Sequence, residues 1–340
     1  MFRFAHGIAK RIKHGVPMTE SVQLDSLGHT ATDEYADVHS PAASEASRSS
    51  SGNAVTAPVH PGFGRTTLFD LGQLDITWEP EIGTLWAYVT PFDRPNYNVP
   101  LLRDAMTWQN ETKRLFSGPG TPLRYMVLGS RFPGVWNLGG DLELFADCIV
   151  RQDRERLRDY GHSCIEIVDR LWHCNDMPVI NIGLAQGDAL GGGLEALMCH
   201  DIIIAERQTR FGLPEVLFGL FPGMGAYSIL ARKLGHAAAE RMILSGKVYS
   251  AEEMHEMGIV NILVEPGEGE AAARDYIKSN IAHHSGTLGV YQAGRRVNPM
   301  TVQELRDIVD SWVDAALKLT DKDLKLMRRL AAAQSRLHQK

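Results

Sequence analysis

The chain has 340 residues, room for one large domain or two small ones with ample core. Apolar residues make up 44% and charged residues 22%, ordinary proportions for a globular protein. Lys and Arg number 35 against 41 Asp and Glu, a net charge of −6 that gives no overall electrostatic footprint for nucleic acid. No run approaches the roughly 18 apolar residues of a membrane helix. The four cysteines (Cys148, Cys164, Cys174, Cys199) form no C-x-x-C pair and sit in apolar or helical context. They read as buried free thiols of a reducing compartment, and composition points to a cytoplasmic globular enzyme.

The first 64 residues differ from the rest. Residues 1–16 carry Arg3, Lys10, Arg11 and Lys13 among scattered apolar residues with no apolar core behind them, which excludes a secretory signal. They read as a frayed tail of the kind an upstream start codon adds, or as a basic amphipathic turn that touches lipid or a partner. Residues 40–60 are Ser- and Ala-rich and bury too little to offset their ordering entropy, so 1–64 is expected to be a disordered extension. Ordered structure is expected from Arg65. Strands are predicted over 66–80, 83–91, 123–130, 178–185 and 201–205. A helix is predicted over 99–117, with Leu102, Met106, Trp108 or Gln109, and Leu115 near helical spacing; a longer one over 142–174 breaks near Gly161. From about Gly225 the chain reads as helical, with a capping box at Ser250 and Glu253 and an apolar stripe of Leu305, Ile308, Val309, Trp312, Val313 and Ala316. No repeat of 20–50 residues is visible. Strands alternating with helices, then helices alone, make an α/β core with a helical appendage.

Common catalytic motifs are absent: no G-x-x-x-x-G-K-[ST], no G-x-S-x-G and no H-E-x-x-H occurs. The adjacent His283 and His284 read as a solvent-facing pair rather than metal ligands. Gly191-Gly192-Gly193 follows a strand and opens a helix but lacks the G-x-G-x-x-G spacing of a dinucleotide site. Glycines at a helix start do leave backbone N–H groups open to a developing oxyanion. Gly139-Gly140 is a second such pair. Two tight strand-to-helix turns would also need these glycines, and spacing alone leaves both readings open. Glu195 and Glu215 each sit in an apolar run, where an unpaired carboxylate is costly. A paired acid and base with apolar walls suits proton transfer at a carbon next to a carbonyl, although helix-start or exposed glutamates would give the same pattern.

The stretches ALGGGLEALMCHDIIIA, FGLPEVLFGLFPGMGA and LSGKVYSAEEMHEMGIVNILV, in order and with 20 residues from Glu195 to Glu215, resemble the crotonase (enoyl-CoA hydratase/isomerase) superfamily from about Thr84 to Val264. The resemblance implies a spiral of ββα units, a catalytic core over 65–265 and a C-terminal helical oligomerisation region over 266–340. It implies an oxyanion hole from the amides of Gly140 and Gly192, with Glu195 and Glu215 catalytic. It also implies substrate contacts from Leu138, Gly139, Leu190, Gly191 and Trp312; a tryptophan in the helical stripe also reads as core. Within the superfamily, NLGGDLELF, GMGA at 223–226 and SWVDAAL are most similar to the diffusible-signal-factor synthases. Ordinary hydratases carry a Gly-Gly pair where Met224 stands. The subgroup implies dehydration and thioester cleavage of a 3-hydroxyacyl-acyl carrier protein, releasing a cis-2-unsaturated fatty acid. Glu215 would be the base at C2 and Glu195 the acid at the departing hydroxyl. No metal or nucleotide is implied, only the phosphopantetheine thioester of the carrier, with CoA as the alternative carrier. Homotrimers or dimers of trimers and a sensor histidine kinase are the implied partners. An enoyl-CoA hydratase, or a crotonase scaffold acting mainly by binding a sensor kinase, are the competing functions. Arg151, Arg154, Arg156 and Arg158 could meet an acidic carrier protein, but interleaved acidic residues favour a solvated helix face.

Overall fold

The structure is a computed structural model that describes residues 65–335; the extension expected over 1–64 lies outside the described residues. Seven strands form a large sheet. They are β1 (Thr66–Leu71), β2 (Leu74–Glu79), β3 (Thr84–Val89), β4 (Tyr125–Ser130), β6 (Ile180–Ala185), β8 (Ile202–Glu206) and β11 (Ile262–Val264), paired in that order. The first three are antiparallel and the rest parallel. Alternation along the strands divides the core. Leu85, Ala87, Met126 and Leu128 face one apolar layer, while Trp86, Tyr88, Tyr125 and Val127 face the other.

A second, smaller sheet positions the functional residues. It contains β5 (Val135–Asn137), β7 (Asp188–Leu190), β9 (Arg210–Gly212) and β10 (Val248–Ser250), ordered β10-β9-β7-β5. Strands β5, β7 and β9 are mutually parallel, and each follows a strand of the large sheet and precedes a helical turn. Three successive ββα units therefore end side by side. The sequence shows no period because the units begin at unequal intervals, at Tyr125, Ile180 and Ile202. Strands of three residues are also too short for alternation to reveal them.

Helix α1 (Val99–Phe116) is capped by Asn98, whose side chain accepts from the Leu101 amide. It buries Leu101, Leu102, Trp108, Gln109 and Phe116, whereas Leu115 faces outward. The stretch expected as one helix over 142–174 is two, α2 (Leu142–Arg151) and α3 (Arg154–Trp172). The break lies at Gln152, left-handed at φ 56°, and Asp153, which caps α3 through the Arg156 amide. Gly161 lies instead inside α3. The remaining helices are α4 (Gly192–Leu197), α5 (Ala226–Leu234), α6 (His236–Ser245), α7 (Ala251–Glu256), α8 (Gly269–Asn280), α9 (His284–Val297), α10 (Val302–Ala316) and α11 (Asp321–Ser335). The region after Gly225 is thus not purely helical: β10 and β11 return to the two sheets. The capping box at Ser250 and Glu253 is formed in both directions. His284 does not face solvent alone, since its Nε2 lies 3.0 Å from the Arg124 carbonyl and its ring meets Tyr125 edge-on.

Helix α10 packs along α3, and α11 packs on α2, so part of the C-terminal region folds back onto its own core. At the α3–α10 crossing, a methyl on Gly161 would come within 2.6 Å of Val309 Cγ1. Gly161→Leu is therefore expected to destabilise the fold by about 1–3 kcal/mol, the usual cost of overpacking. Chemical denaturation checks this, and Val309→Ala should restore part of the loss to Gly161→Leu.

Candidate active site

The lateral order of β5, β7 and β9 brings three turns together: Asn137–Gly140, Leu190–Gly192 and Gly212–Glu215. The first two touch backbone to backbone, since a Cβ on Gly139 would lie 2.7 Å from the Gly192 nitrogen. The Asn137 side chain folds the first turn by accepting the Gly139 amide at 2.7 Å. Gly191 adopts φ 54° with ψ −131°, a conformation that favours glycine. A Cβ there would stand 2.5 Å from Glu215 Oε1, so the glycine also makes room for that carboxylate. Gly192 is the first residue of α4, and its N–H has no intrahelical acceptor. A Cβ on Gly192 would lie 3.6 Å from the Gly140 nitrogen and 2.5 Å from Met224 Sδ. The amides of Gly140 and Gly192 thus line one small space roofed by the Met224 thioether.

The carboxylates differ in their surroundings. Glu195, on α4, is 2% exposed, and its Oε1 accepts the backbone amides of Met224 at 2.8 Å and Ala226 at 2.9 Å. Burial pushes its carboxyl up to about 7, against the pull of those two donors. Glu215 opens a 3₁₀ turn, Glu215–Phe218, and is half-buried; its Oε2 is shut off from solvent with no hydrogen-bond partner among the described residues. Burial, and then the charge of Glu195, hold its carboxyl well above the ordinary value. Two neighbouring carboxyls in an apolar wall cannot both ionise cheaply. The pair therefore keeps one proton near neutral pH, and the donors on Glu195 favour its resting on Glu215.

The other expected contacts fall around this space. Leu138 is buried and its amide donates to the Pro95 carbonyl, while Leu190 is partly buried at the edge of the second turn. Trp312 is 7% exposed and packs on Gly223 and, edge-on at 5.0 Å, on Phe145, which itself covers Gly140. Trp312 thus supports the wall behind Met224 from within the core. Sequence reasoning missed Met224, Ala226, Asn137 and Phe145 as parts of the site. The GMGA departure at 223–226 was the signal for the first two, since it places both the roof and the donors to Glu195. Arg151, Arg154, Arg156 and Arg158 are each paired with a carboxylate, on Asp147, Asp314, Asp147 and Asp310, and form a salt-bridged face. A cleft of about 730 Å³ between α1 and α3 is lined by neither glutamate and neither amide.

The enoyl-CoA hydratase/isomerase family profile matches residues 121–284, which hold both glutamates and both glycine turns. Residues 121–284 thus resemble the crotonase superfamily. It is 34% identical over 145 residues to the fatty acid oxidation complex subunit alpha of Idiomarina loihiensis, covering 43% of this chain; it spans only 20% of that relative's length. The structure of Pseudomonas aeruginosa DspI superposes with a TM-score of 0.59 at 25% identity, covering 73% of this chain and 97% of that one. An enoyl-CoA hydratase from Bacillus halodurans shares the fold, with a TM-score of 0.63 at 18% identity over 76% of this chain and 100% of that one. No described helix is long and apolar enough to cross a membrane.

The raised carboxyls carry a stability consequence with a definite sign. A carboxyl whose folded value exceeds its unfolded one binds more protons in the native state, so stability falls as pH rises from about 4.5 toward the folded value. The slope reaches at most about 1.4 kcal/mol per pH unit for each group. Glu215→Gln is therefore expected to raise the melting temperature at pH 8 and to change it little at pH 4. Thermal unfolding at the two pH values checks this; an equal shift at both would show that Glu215 is not held protonated.

Proposed function

We propose that this chain dehydrates a 3-hydroxyacyl thioester and then cleaves the thioester, releasing a cis-2-unsaturated fatty acid signal from its acyl carrier protein. The observation that carries the reading is the pair Glu195 and Glu215, both present, one buried and one half-buried, beside the neighbouring amides of Gly140 and Gly192. Isomerisation needs one proton-transferring group, whereas removing water needs a base at C2 and an acid at the hydroxyl.

The thioester oxygen accepts the Gly140 and Gly192 amides, which lowers the cost of enolate charge. Elimination starts from the less favoured arrangement, in which the shared proton has passed from Glu215 to Glu195; Glu215 then takes the C2 proton, and Glu195 gives its proton to the departing hydroxyl, which leaves as water. The pair then holds its proton on Glu215, the placement that the donors on Glu195 favour. Elimination thus runs toward the electrostatically preferred state. In the second step Glu195 takes a proton from water as its oxygen attacks the carbonyl carbon, and the tetrahedral oxyanion occupies the same hole. The C–S bond breaks as Glu215 protonates the leaving thiol. The proton is back on Glu195, and the pair is ready for another elimination. These steps draw on the two carboxylates, the two amides and one water.

The 34% identity to a fatty acid oxidation subunit favours, as a second reading, a hydratase acting on CoA thioesters. The signal-synthase reading brings with it a cytoplasmic location, a homotrimer or dimer of trimers, and a sensor histidine kinase as docking partner.

Mass spectrometry of the lipids formed from 3-hydroxyacyl-carrier protein and 3-hydroxyacyl-CoA of several lengths separates the readings. Free unsaturated acid from the carrier substrate supports the proposal, and enoyl-CoA without free acid supports the hydratase. Glu195→Gln and Glu215→Gln should each lower dehydration by about 10²–10⁴. The double variant should add little, since the two act as one unit. Dehydration at the unmodified rate in both single variants would remove the shared-site mechanism. Gly192→Val, which forces a side chain against Met224 and into the hole, is expected to lower turnover by about 10²–10³ in a folded protein. Near-normal turnover in that variant would remove the oxyanion assignment.

A further inference from the structure

We infer that Tyr160 is a positioning residue that sets the direction of the Gly140 amide. Gly140 has no side chain to restrain it, so the orientation of its N–H depends on what grips the peptides on either side. The peptide that carries the Gly140 N–H also carries the Gly139 carbonyl, which accepts the Tyr97 amide at 2.8 Å. Because a trans peptide points its C=O and N–H in opposite directions, that bond turns the Gly140 N–H away from Tyr97. The next peptide carries the Asp141 N–H, which donates to the Tyr160 hydroxyl at 3.1 Å. The same hydroxyl donates to the Tyr97 carbonyl at 2.6 Å.

Tyr97 and Gly140 thus form an isolated parallel bridge whose second rung passes through a phenol oxygen. The phenol acts as a spacer of fixed size between the two backbones. Its own position is firm: Tyr160 is 6% exposed on α3, and its ring meets Phe145 edge-on at 5.3 Å. Phe145 in turn covers Gly140 and touches Trp312, which backs the Gly223–Met224 segment. Removing the hydroxyl lets the Asp141 amide and the Tyr97 carbonyl approach or part, and either movement rotates the peptides around Gly140.

The inference rests on the proposed thioester reading, and the experiment separates the two. The carbonyl stretch of a bound 2-enoyl thioester labelled with ¹³C at C1, recorded by rapid mixing before the thioester is cleaved, reports how strongly the two amides polarise it. Wild-type protein is expected to shift that band to lower frequency, and Glu215→Gln, which leaves both amides in place, should keep the shift. Tyr160→Phe should lose most of it and lower kcat by about 10²-fold, with KM little changed, the cost of a misplaced group. A retained band shift and an unchanged kcat in Tyr160→Phe would overturn the positioning role. No shift in the wild-type protein would overturn the thioester reading, and the inference with it. Should Tyr160→Phe fail to fold, 3,5-difluorotyrosine at position 160 keeps the ring and alters only the hydroxyl's donor and acceptor strength. An unmoved band and kcat in that protein would count against the role equally.

Discussion

A side chain on Gly139 would meet the Gly192 nitrogen at 2.7 Å, so the two turns approach with no room for a methyl group between them. That contact is the constraint on which the site depends. It holds only because β5 and β7 are neighbours in parallel register, which delivers both turns to the same end of the small sheet. The pairing of β7 with β9 then brings Glu215 beside Gly191, and the short helix after Gly192 turns Glu195 inward. Four groups from three separate segments converge because one structural unit is used three times. None of the segments could do so alone, since the first supplies one amide, the second one amide and Glu195, and the third Glu215.

The proton held by the glutamate pair follows from the same geometry. Glu195 lies under the amides of Met224 and Ala226, and Glu215 has an oxygen that finds no donor among the described residues. Backbone amides cannot titrate, so the preference they impose is constant through the reaction. In the proposed cycle, elimination moves the proton from Glu195 to Glu215, and thioester cleavage moves it back. The two half-reactions are complementary in their proton demands, which lets a single pair serve both.

Much of this was legible in the sequence. Glu195 and Glu215 stood out because a carboxylate in an apolar run requires a reason, and the glycine turns because three glycines at a helix start expose amides. The capping box at Ser250 was read correctly because both its members are local. What was hidden is non-local or short. Strands β5, β7 and β9 have three residues each, below the length at which a period of two can show. Gly161 looked like a helix breaker, yet its role is to let Val309 approach, a contact made 148 residues later in the chain. Tyr160 carried no signal at all, because its hydroxyl acts on backbone groups of Tyr97 and Asp141 rather than within a motif. Residues that hold a backbone in place leave no spacing rule behind.

Stability and chemistry pull against each other at the pair. Two carboxyls in an apolar wall cost free energy that a glutamine at either position would partly recover, because an amide has no charged form to desolvate. The extensive apolar layers on both faces of the large sheet offset that cost. The Glu79 carboxylate offers a contrast. It is equally buried but is paired with Arg65 and Arg274 and accepts the Trp86 indole N–H at 2.9 Å. There the fold neutralises a buried acid with cations; at Glu195 and Glu215 the described residues supply only backbone dipoles. A cation beside either glutamate would stabilise the ionised form and fix the proton's absence. Leaving the pair without one keeps a proton available to move between the two carboxyls, and that mobility is what the proposed chemistry uses.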